Sequence, residues 1–177
     1  MTWTLRLARP EDMDQMKPLM DRAIRDLLAP WLPPEGVQAS FEVMGIDTQL
    51  IADQTYFAVE QDGVILGCGG WSRRATLFGG DHTAGRNARL LDPAIEAARV
   101  RAMYTDPSQV RRGIGRAILV ACEQAAAAEG FTRLELAATL AGQPLYAAYG
   151  FAPIEAFTSK TSTGVEVPLV RMGKAVG

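Results

Sequence analysis

The run Thr105-Asp106-Pro107-Ser108-Gln109-Val110-Arg111-Arg112-Gly113-Ile114-Gly115-Arg116-Ala117 constrains this chain more than any other stretch. An apolar, strand-like segment, Val100 to Thr105, leads into it. Ile114, Ala117, Ile118, Ala121, Cys122 and Ala125 follow at helical spacing up to Gly130. A strand therefore turns sharply into a helix through a basic loop that carries glycine. Small residues let a ligand approach such a backbone, and the first N–H groups of the helix face outward at the positive end of its dipole. That arrangement is an anion site, most simply for a phosphate or pyrophosphate. The third glycine of a dinucleotide fingerprint and the Gly-Lys-Ser/Thr ending of a triphosphate loop are both missing. A plain nucleotide is thus a poor fit.

Length and composition set the outer bounds. With 177 residues and 48% hydrophobic composition, the chain can bury a full core as one domain spanning residues 1–177. A formal charge of −2 gives no basis for bulk nucleic-acid binding. Cys68 and Cys122 lie far apart in apolar surroundings and read as reduced core residues. His82 is the only histidine and no Cys-x-x-Cys occurs, so no metal site is expected. Neither a signal-peptide pattern nor an apolar run of membrane-spanning length is visible, and the expected location is cytoplasmic.

In chain order, Trp3 to Leu7 alternates as a short strand. Met13, Met16, Leu19, Met20, Ala23, Ile24, Leu27 and Leu28 form a helical core stripe in which Pro18 predicts a kink or restart. Pro30, Pro33 and Pro34 break the pattern before a second helix, Glu35 to Met44, and Asp47 caps a short turn through Ala52. Tyr56 to Gln61 and Val64 to Ser72 are strands joined at Asp62-Gly63, and Gly67, Gly69 and Gly70 predict a bulge or close approach in the second. Periodicity fails from Arg73 to about Ala97, which marks a functional loop or a poorly ordered one. Arg133 to Ala137 is a strand, and Gln143 to Tyr149 a short helix ended by Gly150. Phe151 to Thr158 and Val165 to Met172 close the chain as a strand pair. The reading is α/β, a mixed sheet with helices on its faces.

Arg111-Arg112-Gly113-Ile114-Gly115-Arg116, paired with Pro144-Leu145-Tyr146-Ala147-Ala148-Tyr149-Gly150-Phe151 about thirty residues later, resembles the GNAT family of acyl-CoA-dependent N-acyltransferases. The element order matches that family from Leu5 to Met172. The resemblance implies a mixed, mostly antiparallel sheet of about seven strands flanked by helices on both faces. It implies acetyl-CoA as the acyl donor and a primary amine, most simply a small molecule, as acceptor. Residue by residue, Met103, Tyr104 and Thr105 would line the pantetheine arm, and the loop from Arg111 through Arg112, Gly113, Ile114 and Gly115 to Arg116 would hold the pyrophosphate. Tyr146 would be the general acid that protonates the departing thiolate, with Tyr149 structural. Thr139 stands where relatives often carry a cofactor-binding asparagine. A homodimer, common among relatives, is compatible with exposed edge strands.

Two departures from the family pattern are visible. Val110 replaces a preferred Gln or Arg, though Gln109 is adjacent. No carboxylate marks the Val100 to Thr105 strand as a general base, which leaves Glu96, Asp106, His82 or ordered water as alternatives. The expected mechanism is direct transfer, with backbone N–H groups near Met103 to Thr105 stabilising the oxyanion. A non-catalytic acyl-CoA-binding module and a protein or peptide N-acyltransferase stay open as rivals. A small-molecule enzyme would close its cleft with a loop such as Arg73 to Ala97.

Overall fold

Seven strands in the order β1-β2-β3-β4-β5-β7-β6 form one sheet in the computed structural model, which describes residues 2–177. The strands are β1 (Thr4–Leu7), β2 (Tyr56–Gln61), β3 (Val64–Ser72), β4 (Ala98–Thr105), β5 (Arg133–Ala138), β6 (Ala152–Lys160) and β7 (Glu166–Ala175). Every neighbouring pair is antiparallel except β4 with β5. The helices are α1 (Met13–Leu28), α2 (Pro34–Val43), α3 (Thr48–Ala52), α4 (Ile114–Ala128) and α5 (Gln143–Tyr149).

The two faces of β3 account for the layering. Ile65 and Cys68 join Met16, Leu19, Ile24 and Tyr56 in the core under α1. Leu66 and Trp71 join Ile118, Leu119, Cys122 and Leu134 in the core under α4. A strand covered on both sides must be apolar throughout, as Val64 to Ser72 nearly is. The two cysteines are buried and free, in separate cores on opposite faces of the sheet.

Local chemistry explains most boundaries. Asp62 and Gly63 both have positive φ, 52° and 79°, which is the type I′ turn that a two-residue hairpin needs. Asp47 caps α3 by accepting from the Gln49 N–H at 2.9 Å. The α1 helix does not restart at Pro18. It runs unbroken from Met13, because burying Met16, Leu19, Ala23 and Ile24 outweighs one forfeited backbone bond near the helix start. Nor is the long Arg73–Ala97 connection poorly ordered. Arg74 bridges Leu90 in antiparallel fashion, and Ala75, Thr76 and Leu91 bond back across the loop.

Three paired carboxylates contribute to the acid response. Asp12 accepts two bonds from the Arg6 guanidinium, at 2.7 and 2.9 Å, and Asp53 is gripped in the same way by Arg74. The Arg6 bonds hold the Asp12 carboxyl below its ordinary 3.8, and the Arg74 bonds do so for Asp53. Arg89 brings Glu96 down from 4.5 to about 2. A lowered folded pKa gives stability that is complete above the unfolded value and is lost as pH falls through the folded one. Urea midpoints are therefore expected to be level between about pH 5 and 7 and to drop between about pH 4.5 and 2, with a shallower drop in Asp12→Asn. Equal slopes in the two proteins would remove Asp12 from this account.

Candidate functional site

Strands β4 and β5 pair only at Ala98 with Leu134 and Arg99 with Glu135. Beyond that point they part, and β4 from Val100 to Thr105 bonds to β3 alone while β5 continues against β7. A bulge helps to turn β4 away. Cys68 pairs with Tyr104 and Gly70 with Arg101, which leaves Ala102 and Met103 together opposite Gly69. Ala102 holds φ of 50°, a strained value for a residue with a side chain, and the buried Tyr56 hydroxyl donates to its carbonyl at 2.8 Å. The result is a cleft of about 770 Å³ with one edge of β4 unpaired inside it.

The glycine loop closes one end. Asp106 orders its start by accepting from the Ser108 N–H at 2.9 Å and from Arg22 at 2.7 Å. Arg111 and Gly113 both take left-handed φ, 62° and 82°, and Gly113 is the N-cap of α4. Within the described residues the backbone N–H groups from Val110 to Arg116 donate to no protein acceptor, and the first helical bond from this region is Ala117 to the Gly113 carbonyl. Consecutive free N–H groups in left-handed and helical conformations make a concave anion site. A Cβ at Gly115 would lie 2.7 Å from Leu145 Cδ2, so glycine there lets α5 approach α4 beside that site.

The sequence-derived site residues fall as follows. Met103, Tyr104, Thr105, Arg111, Gly113, Ile114, Gly115, Arg116, Thr139 and Tyr146 all border the one cleft. Arg112 does not, because its guanidinium is bonded to Gln109 and reaches Gln61. The Arg116 guanidinium lies over the Tyr149 ring, 5.4 Å from its centroid, and Arg111 has no side-chain partner within the described residues. Tyr104 meets the cleft, but its hydroxyl is fixed to Gly45, accepting from the N–H at 2.8 Å and donating to the carbonyl at 3.1 Å. The Thr139 hydroxyl accepts from the Gly142 N–H at 3.1 Å and keeps its own proton free to donate.

Tyr146 stands on α5 with its ring edge-on to Phe151 and its hydroxyl without a hydrogen-bond partner among the described residues. Burial pushes its phenol well above the ordinary tyrosine value, so the proton stays on the oxygen at neutral pH. The three carboxylate and imidazole alternatives for a base are all placed elsewhere. Glu96 is clamped by Arg89, Asp106 by Arg22 and Ser108, and His82 bonds through Nε2 to the Phe41 carbonyl at 2.6 Å. None of them borders the cleft.

Sequence reasoning named the Arg73–Ala97 loop as one that could close the cleft but did not identify the residues of its other end. Leu77, Phe78 and Gly79 of the long connection form a wall there, together with Trp31, Met44 and the buried Arg101. Phe78 is anchored by Phe157 of β6, ring to ring at 5.9 Å. The wall is held down by bonds from Thr83 to the Glu42 carbonyl, His82 to Phe41, and Asp81 N–H to the Ile46 carbonyl. A lone arginine within the apolar run Val100-Arg101-Ala102-Met103 was the available signal.

Residues 21–151 match the family model described as the acetyltransferase (GNAT) family. No curated protein sequence matches the chain. Among solved structures, the chain is similar to a GCN5-related N-acetyltransferase from Rhodopseudomonas palustris, with TM-score 0.70 and 18% identity over 99% of this chain and 96% of that one. It is also similar to yncA of Salmonella typhimurium, solved with its cofactor acetyl-CoA, with TM-score 0.67 and 16% identity over 100% and 95% of the two chains. A third neighbour is the ribosomal-protein-S18-alanine N-acetyltransferase from Escherichia coli, with TM-score 0.60 and 17% identity over 99% and 95%. At such identities these structures share a fold with this chain.

Proposed function

Because the chain belongs to the acetyltransferase (GNAT) family, we propose that it transfers the acetyl group of acetyl-CoA directly to a primary amine on a small molecule. The observation that carries the reading is the continuity of two features in one cleft. The unpaired edge of β4 runs straight into the free N–H groups of the loop before α4. An extended amide-bearing arm suits the first, and a pyrophosphate suits the second. Acetyl-CoA supplies an activated thioester whose cleavage leaves a thiolate.

The chain's own groups divide the remaining work. The N–H groups from Val110 to Arg116 and the Arg111 and Arg116 guanidiniums bind the anion. Thr139 offers a hydroxyl proton to the arm. Backbone N–H groups near the Ala102–Met103 bulge stabilise developing negative charge on a carbonyl oxygen. Tyr146 holds a proton at its phenol oxygen on the cleft wall and gives it to the departing sulfur. The acceptor ammonium loses its proton to water before it attacks as the neutral amine, since Glu96, Asp106 and His82 do not reach the cleft.

A small acceptor is supported by the wall that Leu77, Phe78 and Gly79 build across the far end. A protein chain would need that end open, and opening it would break the bonds that pin the loop to α2 and to the segment after it. The test is calorimetric titration with acetyl-CoA, with ATP and NAD as controls, followed by thiol release across a panel of small amines and peptides. Selective acetyl-CoA binding with turnover of small amines is expected. Turnover of peptides alone would overturn the acceptor assignment, and absence of acetyl-CoA binding by the folded protein would overturn the whole reading.

A further inference from the structure

The far end of the cleft is apolar, lined by Ile24, Leu27, Trp31, Met44, Phe78 and Leu169. The one carboxylate among the described lining residues, Asp26, is exposed to solvent. An acceptor with several ammonium groups would find no buried counter-charge here. One buried charge does border the cleft, and it is a cation: Arg101, 3% exposed.

Arg101 is underpaired. Its Nη2 meets Asp47 Oδ2 at 3.1 Å and the Gly79 carbonyl, and its Nη1 reaches the Thr76 carbonyl only at 3.5 Å. Its Nε is the sole buried side-chain nitrogen or oxygen among the described residues with no partner. Asp47 is also shared, because its Oδ1 pairs with Arg86 Nη2 at 2.9 Å. Two guanidiniums thus divide one carboxylate, and a positive charge is left over beside an apolar wall. Buried charges are costly unless paired. Holding the Thr76 and Gly79 carbonyls needs only a neutral donor, so the excess charge is not explained by pinning the loop.

Resting on the reading of this end as the acceptor site, we propose that Arg101 selects the acceptor by pairing with a carboxylate on it. The acceptor is an amino-acid-like molecule with an apolar side chain. Arg101 immediately precedes the Ala102–Met103 bulge at the donor edge, which requires the amine and carboxylate to sit close together on the acceptor. The apolar wall takes the side chain. Arg101 is therefore a specificity determinant that acts on the acceptor and not on the donor.

The test uses acceptor pairs that differ only in the carboxylate: leucine, methionine and phenylalanine against the amines left by their decarboxylation. They are compared by kcat/KM at equal concentrations of neutral amine. At least one amino acid is expected to exceed its amine by about tenfold or more, the size of one charge-assisted hydrogen bond. That ratio should collapse toward one in Arg101→Gln. It should fall part of the way in Arg86→Gln, which lies outside the cleft and leaves Asp47 wholly to Arg101. Calorimetry with 4-methylpentanoate and 3-phenylpropanoate, which lack the amine, supplies a readout free of turnover on the wild-type protein saturated with CoA. Binding that Arg86→Gln weakens supports the proposal even if Arg101→Gln does not fold. Equal or reversed preference in every pair, ratios unchanged in both variants, or no binding of either carboxylate overturns it. Acetylation of the decarboxylated amines alone would leave the enzyme reading standing and sink this one. Carboxylate binding without turnover of any amine would do the opposite.

Discussion

Tyr146→Phe is expected to lower kcat by about a hundredfold or more while acetyl-CoA affinity stays within about twofold of wild type. The substitution removes one oxygen that has no partner among the described residues, and it leaves the packing of the ring against Phe151 in place. Folding should therefore be untouched, and circular dichroism and calorimetry check that directly. The catalytic loss follows from the proton inventory. A thiolate expelled into a partly apolar cleft needs a proton at the moment the C–S bond breaks, and Tyr146 borders that cleft with its proton secured by burial. The same upward shift fixes the pH behaviour. The protonated, active form of Tyr146 persists through neutral pH and is lost only at strongly alkaline pH. The rise of kcat/KM on the acid side should instead track deprotonation of the acceptor ammonium. Thiol release measured across pH in both proteins decides the matter, and a variant that keeps wild-type kcat would strip Tyr146 of the role.

How much of this was legible in the residues depends on whether the signal was local. The Met13 to Leu28 stripe, the Asp62-Gly63 hairpin, the Gly150 helix stop and the strand–loop–helix run from Val100 to Gly130 each carry their geometry in neighbouring side chains, and each appears nearly where it was expected. The mostly antiparallel sheet of about seven strands matched because the family resemblance supplied it. What escaped was set by distant parts of the chain. Ala102 carries no mark of its left-handed backbone, since the bulge arises from Gly69 opposite and from the Tyr56 hydroxyl on β2. The order of the Arg73–Ala97 connection was equally hidden. Its bonds run to Phe41, Glu42, Ile46 and Asp47, and no periodicity along the loop itself could reveal them. Arg112 shows a finer distinction: its guanidinium is taken up by Gln109, so only its backbone N–H is left free with those of its neighbours in the loop.

The same distinction says why the donor end of the cleft is read more easily than the acceptor end. In the proposed function the donor is gripped by backbone groups whose placement follows from one turn, and a turn leaves a compact trace in sequence. The acceptor end is assembled from α1, the segment after α2, β4, β7 and the long connection, so its chemistry emerges only when Leu27, Met44, Arg101, Leu169 and Phe78 meet.

Gly113→Val isolates the contribution of that turn. A Cβ at Gly113 would meet nothing within 4 Å, so the substitution acts through the backbone alone, at a φ of 82°. Holding a residue with a side chain there costs roughly 1–2 kcal/mol, and more for a β-branched one. Global stability should fall by no more than about that amount if the turn keeps its shape. If it relaxes instead, the N–H groups of Gly113, Ile114 and Gly115 swing out of line, because Gly113 is the N-cap that sets the start of α4 and its carbonyl receives the Ala117 bond at 3.0 Å. Losing one or two charge-assisted bonds to a pyrophosphate would then weaken acetyl-CoA binding by about a hundredfold. Acetyl-pantetheine has the thioester and the arm but no pyrophosphate, so its affinity should be the same in both proteins. Calorimetry with the two ligands separates the cases. A loss confined to acetyl-CoA places the anion on the free N–H groups before α4, whereas an equal loss for both ligands, or none for either, would mean that the turn shapes the cleft without holding the charge.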